Sequence, residues 1–135
     1  MTGINPYLAF DGNCREAMTF YHSCLGGDLR IMDFAEGPMD VPESDKNKVM
    51  HASIGHNGAV LMASDTMDSR PVTASNAVSI SVNCSTRDEV DTLFNKMAAG
   101  GHITMPVQDM FWGARFGMLT DKYGMHWMFN CESAK

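Results

Sequence analysis

The sequence predicts an α+β fold in which one plan is used twice: two modules, each ordered strand, helix, strand, strand, strand (βαβββ). Three observations predict it. Two helix-like segments carry the same cap, apolar stripe and glycine exit at a spacing of 73 residues. A short strand-like run precedes each helix. Strand-like runs around a tight-turn signal follow each helix.

Residues 5–10, Asn5-Pro6-Tyr7-Leu8-Ala9-Phe10, read as the first strand. Asn13 stands where a helix cap is needed, since its side chain can accept a bond from a free N–H of the first turn. Glu16, three residues on, can reach back to complete a capping box. Ala17, Phe20, Tyr21, Cys24 and Leu25 then follow the i, i+3, i+4, i+7, i+8 stripe of a half-buried helix, and Gly26-Gly27 supplies a left-handed exit. Residues 29–35 read as the next strand. Residues 36–48, with Pro38, Pro42 and many charges, read as a mobile loop. Residues 49–55 and 60–64 flank Asn57-Gly58, a strong signal for a type I′ hairpin. In that hairpin Ser53 faces Met62 and His51 faces Ser64, on one side of the sheet.

The second half repeats the order. Residues 77–82 alternate apolar and polar residues with the period of a strand. Thr86 and Glu89 match Asn13 and Glu16; Val90, Leu93, Phe94, Met97 and Ala98 form the stripe; Gly100-Gly101 ends it. Thr86 stands 73 residues after Asn13, Val90 73 after Ala17, and Gly100 73 after Gly27. Residues 102–107 read as the partner of the strand at 29–35. Residues 114–120 and 125–130 flank the four-residue turn Asp121-Lys122-Tyr123-Gly124. Module one spans about 4–66 and module two about 76–131, with a linker at about 67–75 holding Arg70-Pro71, all within a single domain over 1–135.

Length and composition remove several function classes. A chain of 135 residues is the size of one domain and can bury roughly two-thirds of its unfolded surface without staples. Cys14, Cys24, Cys84 and Cys131 form no Cys-x-x-Cys pair, so reduced, buried thiols are expected. A net charge of −6 with no basic stripe argues against a nucleic-acid partner. No apolar run approaches the ~18–20 residues of a membrane span, and residues 1–6 lack the pattern of a secretory leader. The expectation is a cytoplasmic protein with no membrane partner. Phosphate-loop, dinucleotide-fingerprint, nucleophile-elbow and His-x-x-x-His motifs are all missing from the sequence. Thirteen methionines suit either a gap-filled core or an adaptable pocket.

The doubled βαβββ order resembles the vicinal oxygen chelate superfamily of glyoxalases, extradiol dioxygenases and fosfomycin- and bleomycin-resistance proteins. Gly12-Asn13-Cys14, Phe20-Tyr21, Met50-His51-Ala52, Leu61-Met62-Ala63-Ser64-Asp65, Phe111-Trp112-Gly113, Phe116-Gly117 and residues 120–128 carry a closer resemblance, to its PhnB-like (YjdN-like) branch. The resemblance implies paired modules forming a cupped mixed sheet of the glyoxalase/bleomycin resistance/dioxygenase type, and a homodimer. It fixes no reaction, so enzyme and binding protein both stay open. The metal ligands of the superfamily would fall near Pro6 and Ser79 in the first strands and on Met62 and Met128 in the last strands. Thioethers and proline do not suit a hard divalent cation, so no metal ligand is assigned.

The residues expected to line or border a small-molecule cleft are His51, Met62, Trp112, Arg115, Trp127 and Met128. His51 can bind a substrate oxygen, act as a base or hold one metal position; alternatively it is a sheet-interior histidine bonded to Ser64. Phe111-Trp112 and Arg115 fit either a planar, anionic ligand or a dimer contact. Trp127 and His126 are neighbours in a strand, so only one of them can face a cleft. Two functions compete: small-molecule binding without the usual four-ligand metal site, and a divalent-metal-dependent glyoxalase- or dioxygenase-type enzyme using His51. A methyltransferase, a label this branch sometimes carries, lacks its glycine-rich cofactor turn here. No cofactor is expected beyond such a divalent metal.

Overall fold

The computed structural model describes residues 1–67 and 70–132, so residues 68 and 69 of the expected linker lie outside the described residues. The chain divides into two compact units, Met1–Thr73 and Ala74–Lys135. The first contains β1 (Tyr7–Phe10), α1 (Cys14–Leu25), β2 (Asp28–Asp33), β3 (Val49–His56) and β4 (Ala59–Asp65). The second contains β5 (Ile80–Asn83), α2 (Arg87–Met97), β6 (His102–Asp109), β7 (Arg115–Thr120) and β8 (His126–Cys131). Each unit is thus one βαβββ module, and the fold class is α+β.

The two sheets have the same topology, β1-β4-β3-β2 and β5-β8-β7-β6. The first strand of each module runs parallel to the last, and the other pairs are antiparallel. Asn57 and Gly58 both have positive φ, 47° and 87°, and this two-residue turn pairs Ser53 with Met62 across the hairpin. The β7–β8 turn is closed by Gly124 N–H to Asp121 C=O at 3.0 Å, with Asp121 N–H to Met125 C=O at 2.8 Å.

Each helix covers one face of its own sheet. α1 buries Cys14, Ala17, Met18, Tyr21 and Cys24, and α2 buries Val90, Phe94 and Met97. Beneath α1 lie Phe10, Val49, Ala52, Ile54, Leu61 and Ala63; beneath α2 lie Leu119, Trp127 and Phe129. Burying one large apolar side chain stabilises by roughly 1.5–3 kcal/mol, more than a helix cap contributes, so the alternation along the strands dominates the choice of face. No helix among the described residues is long and apolar enough to cross a membrane.

Three local features depart from the sequence reading. The Asn13 side chain makes no capping bond; the Asp65 carboxylate, at the end of β4, accepts the Cys14 N–H instead at 2.9 Å. Thr86 does cap α2, accepting from Glu89 N–H at 3.1 Å, while Glu89 accepts from Ser85 N–H at 2.9 Å. The strand read over 29–35 ends at Asp33 and gives way to a 3-10 turn, Phe34–Glu36, and the segment read as a mobile loop holds a second, Glu43–Asp45. This stretch is tied to itself by Phe34 N–H to Lys48 C=O and Ala35 N–H to Lys46 C=O, both 3.0 Å, and it buries Val41 and Asp45. The exits of the helices are one residue out of the 73-residue register. Gly26 and Gly100 take the left-handed bend, at φ 77° and 74°. Gly27 and Gly101 then pass against backbone: a Cβ at Gly27 would sit 2.7 Å from the Gly55 carbonyl oxygen, and one at Gly101 would overlap that of Thr120.

Candidate functional site

Strand alternation leaves one face of each sheet without a helix over it. On the first sheet, Tyr7 pairs with Met62, Met62 with Ser53, and Ser53 with Arg30, forming one row across all four strands. His51, two residues before Ser53, projects from the same face. Tyr7, His51 and Arg30 are exposed, and Met62 and Ser53 are half-buried.

Within that face the Tyr7 hydroxyl lies 3.1 Å from His51 Nδ1, with the rings tilted by 41° and 5.7 Å between centroids. Tyr7 is brought there by the parallel β1–β4 pairing and His51 by the Asn57-Gly58 hairpin. The bond orients the imidazole through Nδ1. Among the described residues Nε2 has no partner, which makes it the nitrogen that can meet a ligand.

The second sheet presents a different surface. Met128 pairs with Ser81 and with Met118, and Met118 with Met105. His126 lies on the same face as Met128, its Nδ1 2.9 Å from the Thr120 hydroxyl. Trp127 points the opposite way, beneath α2. It is 1% exposed, with its indole Nε1 donating to Asp121 Oδ2 at 2.7 Å and its ring stacked 6.3 Å from Phe129. A bulky indole next to a histidine goes to the buried side, because alternation offers it only one face with a core.

Arg115 is likewise held on the helix side. Its Nε and Nη2 donate to the Asp91 carboxylate at 2.9 and 3.2 Å, and Nη1 donates to Asp109 Oδ1 at 2.8 Å. Asp91 and then Asp109 raise the guanidinium further above its ordinary range. These bonds tie α2 to the β6–β7 hairpin and occupy the fork that a ligand carboxylate would need. Trp112 and Phe111 sit at the tip of that hairpin, 58% and 97% exposed, edge to face at 4.9 Å. Of the six expected residues, His51 and Met62 therefore meet on one face with Tyr7. Met128 lies on the uncovered face of the other unit, and Trp112, Arg115 and Trp127 stand apart from either grouping.

The metal positions implied by the sequence resemblance carry an unsuitable donor set in the first unit. Met62 lies on the uncovered face, and the residues around it are Tyr7, Ser53 and His51. One imidazole, a phenol and a thioether do not make a shell for a hard divalent cation. Among the described residues no three of His, Cys, Asp or Glu gather in a metal-binding group. Thiol nucleophiles are also poorly prepared. Burial, and then the Asp65 carboxylate, push Cys14 up to about 12; burial, and then Glu89, push Cys84 up to about 12. At neutral pH both are thiols. All four cysteines are free.

Comparison with known proteins places this arrangement. A family model described as 3-demethylubiquinone-9 3-methyltransferase matches residues 2–129. Protein YjdN of Escherichia coli K12 is 33% identical over 138 residues, covering 94% of this chain and 93% of the relative. The chain belongs to this PhnB-like, or YjdN-like, family. The methyltransferase description is the name of the family model. The crystal structure of protein PA1353 from Pseudomonas aeruginosa superposes on this YjdN-like chain with a TM-score of 0.87 at 45% identity, covering 96% of each. A glyoxalase/bleomycin resistance protein from Albidiferax ferrireducens T118 shares the fold alone, with a TM-score of 0.65 at 13% identity over 96% of this chain and 98% of that one.

Tyr7 and Arg30 were not among the residues expected at a site. For Tyr7 the missing signal is the parallel β1–β4 register, which no local turn fixes. For Arg30 it is the lack of a carboxylate partner among the described residues, which only three-dimensional neighbours reveal.

Proposed function

We propose that this YjdN-like protein binds a small molecule on the uncovered face of its first sheet, with His51 Nε2, Tyr7 and Met62 as contacts and without the superfamily's four-ligand metal site. The observation that carries the reading is the Tyr7–His51 hydrogen bond on an exposed sheet face beside Met62. A surface histidine held through one ring nitrogen is prepared to donate to, or accept from, a ligand with the other. A half-buried thioether beside it can adapt to a flat apolar body. The homodimer implied by the family resemblance belongs to the same proposal, with the exposed Phe111–Trp112 pair as its contact, as does a cytoplasmic location.

The test is a chemical-shift titration with a neutral aromatic probe, 2-naphthamide. Perturbations are expected at Tyr7, His51, Ser53 and Met62, with affinity falling several-fold to tenfold in His51→Ala, the scale of one lost hydrogen bond. Perturbations confined to other parts of the chain would overturn the reading. Metal content and thermal-shift titrations with zinc, nickel, manganese and magnesium accompany it. A stoichiometric metal, or a large shift that vanishes in His51→Ala, would replace the proposal with metal-dependent catalysis.

A further inference from the structure

The row that begins at Tyr7 and Met62 ends on Arg30. Three strand spacings of ~4.8 Å put the Tyr7 and Arg30 Cα atoms about 14 Å apart along it. A cavity of about 610 Å³ opens at the Arg30 end, lined by Arg30, Asp28, Ser53, Gly55, His56 and Val60 among others. That volume lies within the range of small-molecule sites, ~300–1,000 Å³.

Arg30 and Arg70 are the arginines without an ion pair among the described residues, and of the two Arg30 lines the cavity. Arg15 is paired with Asp33, Arg87 with Asp109, and Arg115 with Asp91 and Asp109. Among the described residues Arg30 has no carboxylate partner, although Asp28 lines the same cavity two residues away. A guanidinium left unpaired beside an available carboxylate keeps its planar fork of donors free for another oxyanion. Ser53, its cross-strand partner, adds a hydroxyl on the same face. The chain's net charge of −6 repels anions at long range. Salt screens that repulsion beyond about 8–10 Å, so within the cavity the contact guanidinium outweighs it, with Asp28 as the local opposing charge.

We propose that Arg30 holds an oxyanion group, a carboxylate or a phosphoryl group, of a ligand whose apolar body lies along Ser53 and Met62 toward Tyr7 and His51. This rests on the reading of the face as the ligand site, and it names the class of ligand: an elongated anion with a flat apolar part. The fork binds the anion through paired N–H donors, Met62 packs against the body, and His51 Nε2 addresses the far end.

The experiment compares three probes of one shape: 2-naphthamide, 2-naphthoate and 2-naphthyl phosphate. They are titrated into the full chain as wild type, Arg30→Gln, Arg30→Lys and Arg70→Gln, followed by amide chemical shifts. At least one anionic probe is expected to bind wild type roughly tenfold tighter than the amide, the scale of a charge-assisted bond. The advantage should vanish in Arg30→Gln, return in part in Arg30→Lys and persist in Arg70→Gln, a matched loss of charge at another exposed site. Which anion gains more separates a carboxylate from a phosphoryl ligand. Backbone amide shifts of ligand-free Arg30→Gln that match wild type away from this face show that the variant keeps its fold. The inference is overturned if the anions bind wild type no tighter than the amide, if the advantage survives Arg30→Gln, or if Arg70→Gln abolishes it equally. If no probe perturbs this face, the ligand-site reading falls first and takes the anion with it; if the amide binds and the anions gain nothing, only the anion inference falls.

Discussion

The uncovered face of the first sheet carries a tyrosine–histidine pair, a serine and an arginine that has no carboxylate partner among the described residues. The equivalent row of the second sheet reads Ser81, Met128, Met118 and Met105. Strand order, parallel and antiparallel pairing and helix coverage are the same in both units. The divergence is confined to side chains that no core constrains. The helix-facing rows must stay apolar to bury against α1 and α2, whereas the other face can change chemistry without unfolding the module. One module can thus carry polar recognition while its copy presents thioethers.

The buried carboxylates differ as well. In the first unit Asp65 ends β4 and accepts both Cys14 N–H, at 2.9 Å, and Val49 N–H, at 2.8 Å, so the sheet caps the helix. In the second unit Cys131 ends β8 in that position, and α2 is capped from its own sequence by Thr86. Asp121 serves elsewhere, gathering Tyr123 N–H, Met125 N–H and the Trp127 indole at the hairpin turn.

The largest expected effect tests this difference. Asp65→Ala strands two buried N–H donors at once and should cost about 3 kcal/mol in urea unfolding, against about 1 kcal/mol for Cys131→Ala, which removes only a small apolar group. Equal costs would mean that the carboxylate is not what joins α1 to its sheet.

Caps come next. Thr86→Ala should cost about 1 kcal/mol, because it removes the acceptor of the Glu89 N–H, and Asn13→Ala only a few tenths, because its side chain makes no capping bond. A matching loss at Asn13 in thermal unfolding would restore the symmetric capping that the sequence suggests.

How far the chain could be read before folding follows from the same comparison. Both helices, the Asn57-Gly58 hairpin and the Asp121–Gly124 turn were legible because each rests on contacts within about a dozen residues. The 73-residue spacing holds for the helix faces, where Ala17, Tyr21 and Cys24 match Val90, Phe94 and Met97. It does not hold for the strands before them. Tyr7, on the uncovered face, would match Ile80, which pairs with buried Trp127; by face its counterpart is Ser81, which pairs with Met128. One residue fewer between strand and helix in the second unit turns every side chain of that strand over. His51 and Met62 were reached through hairpin register, whereas Tyr7 depends on a parallel pairing 55 positions away. Arg115 reads from sequence as a ligand contact because Asp91 lies a helix away. Asp109 faces it across the β6–β7 hairpin, whereas Asp91 reaches it only when α2 packs.

The smallest expected effect concerns that Arg115 network. The Arg115 guanidinium, and then Arg87, hold the Asp109 carboxyl below the usual carboxylate range. A carboxyl lowered in the folded state stabilises above its ordinary value, and that contribution is lost as pH falls through the folded value. Asp109 is exposed, so solvent and salt screen the contact and global stability should change little. The measurement with enough sensitivity is a carbon-detected NMR titration of the Asp109 carboxyl. Its midpoint should lie below the ordinary carboxylate value in low salt, and move up toward it in Arg115→Gln and in 1 M salt. The hairpin that carries Phe111 and Trp112 should loosen over the same acid range, read from Trp112 fluorescence. A midpoint unmoved by Arg115→Gln would transfer the hold on Asp109 to Arg87. The second unit would then keep its hairpin by the same device as the first, a single arginine from the first turn of the helix reaching the end of the second strand, as Arg15 reaches Asp33.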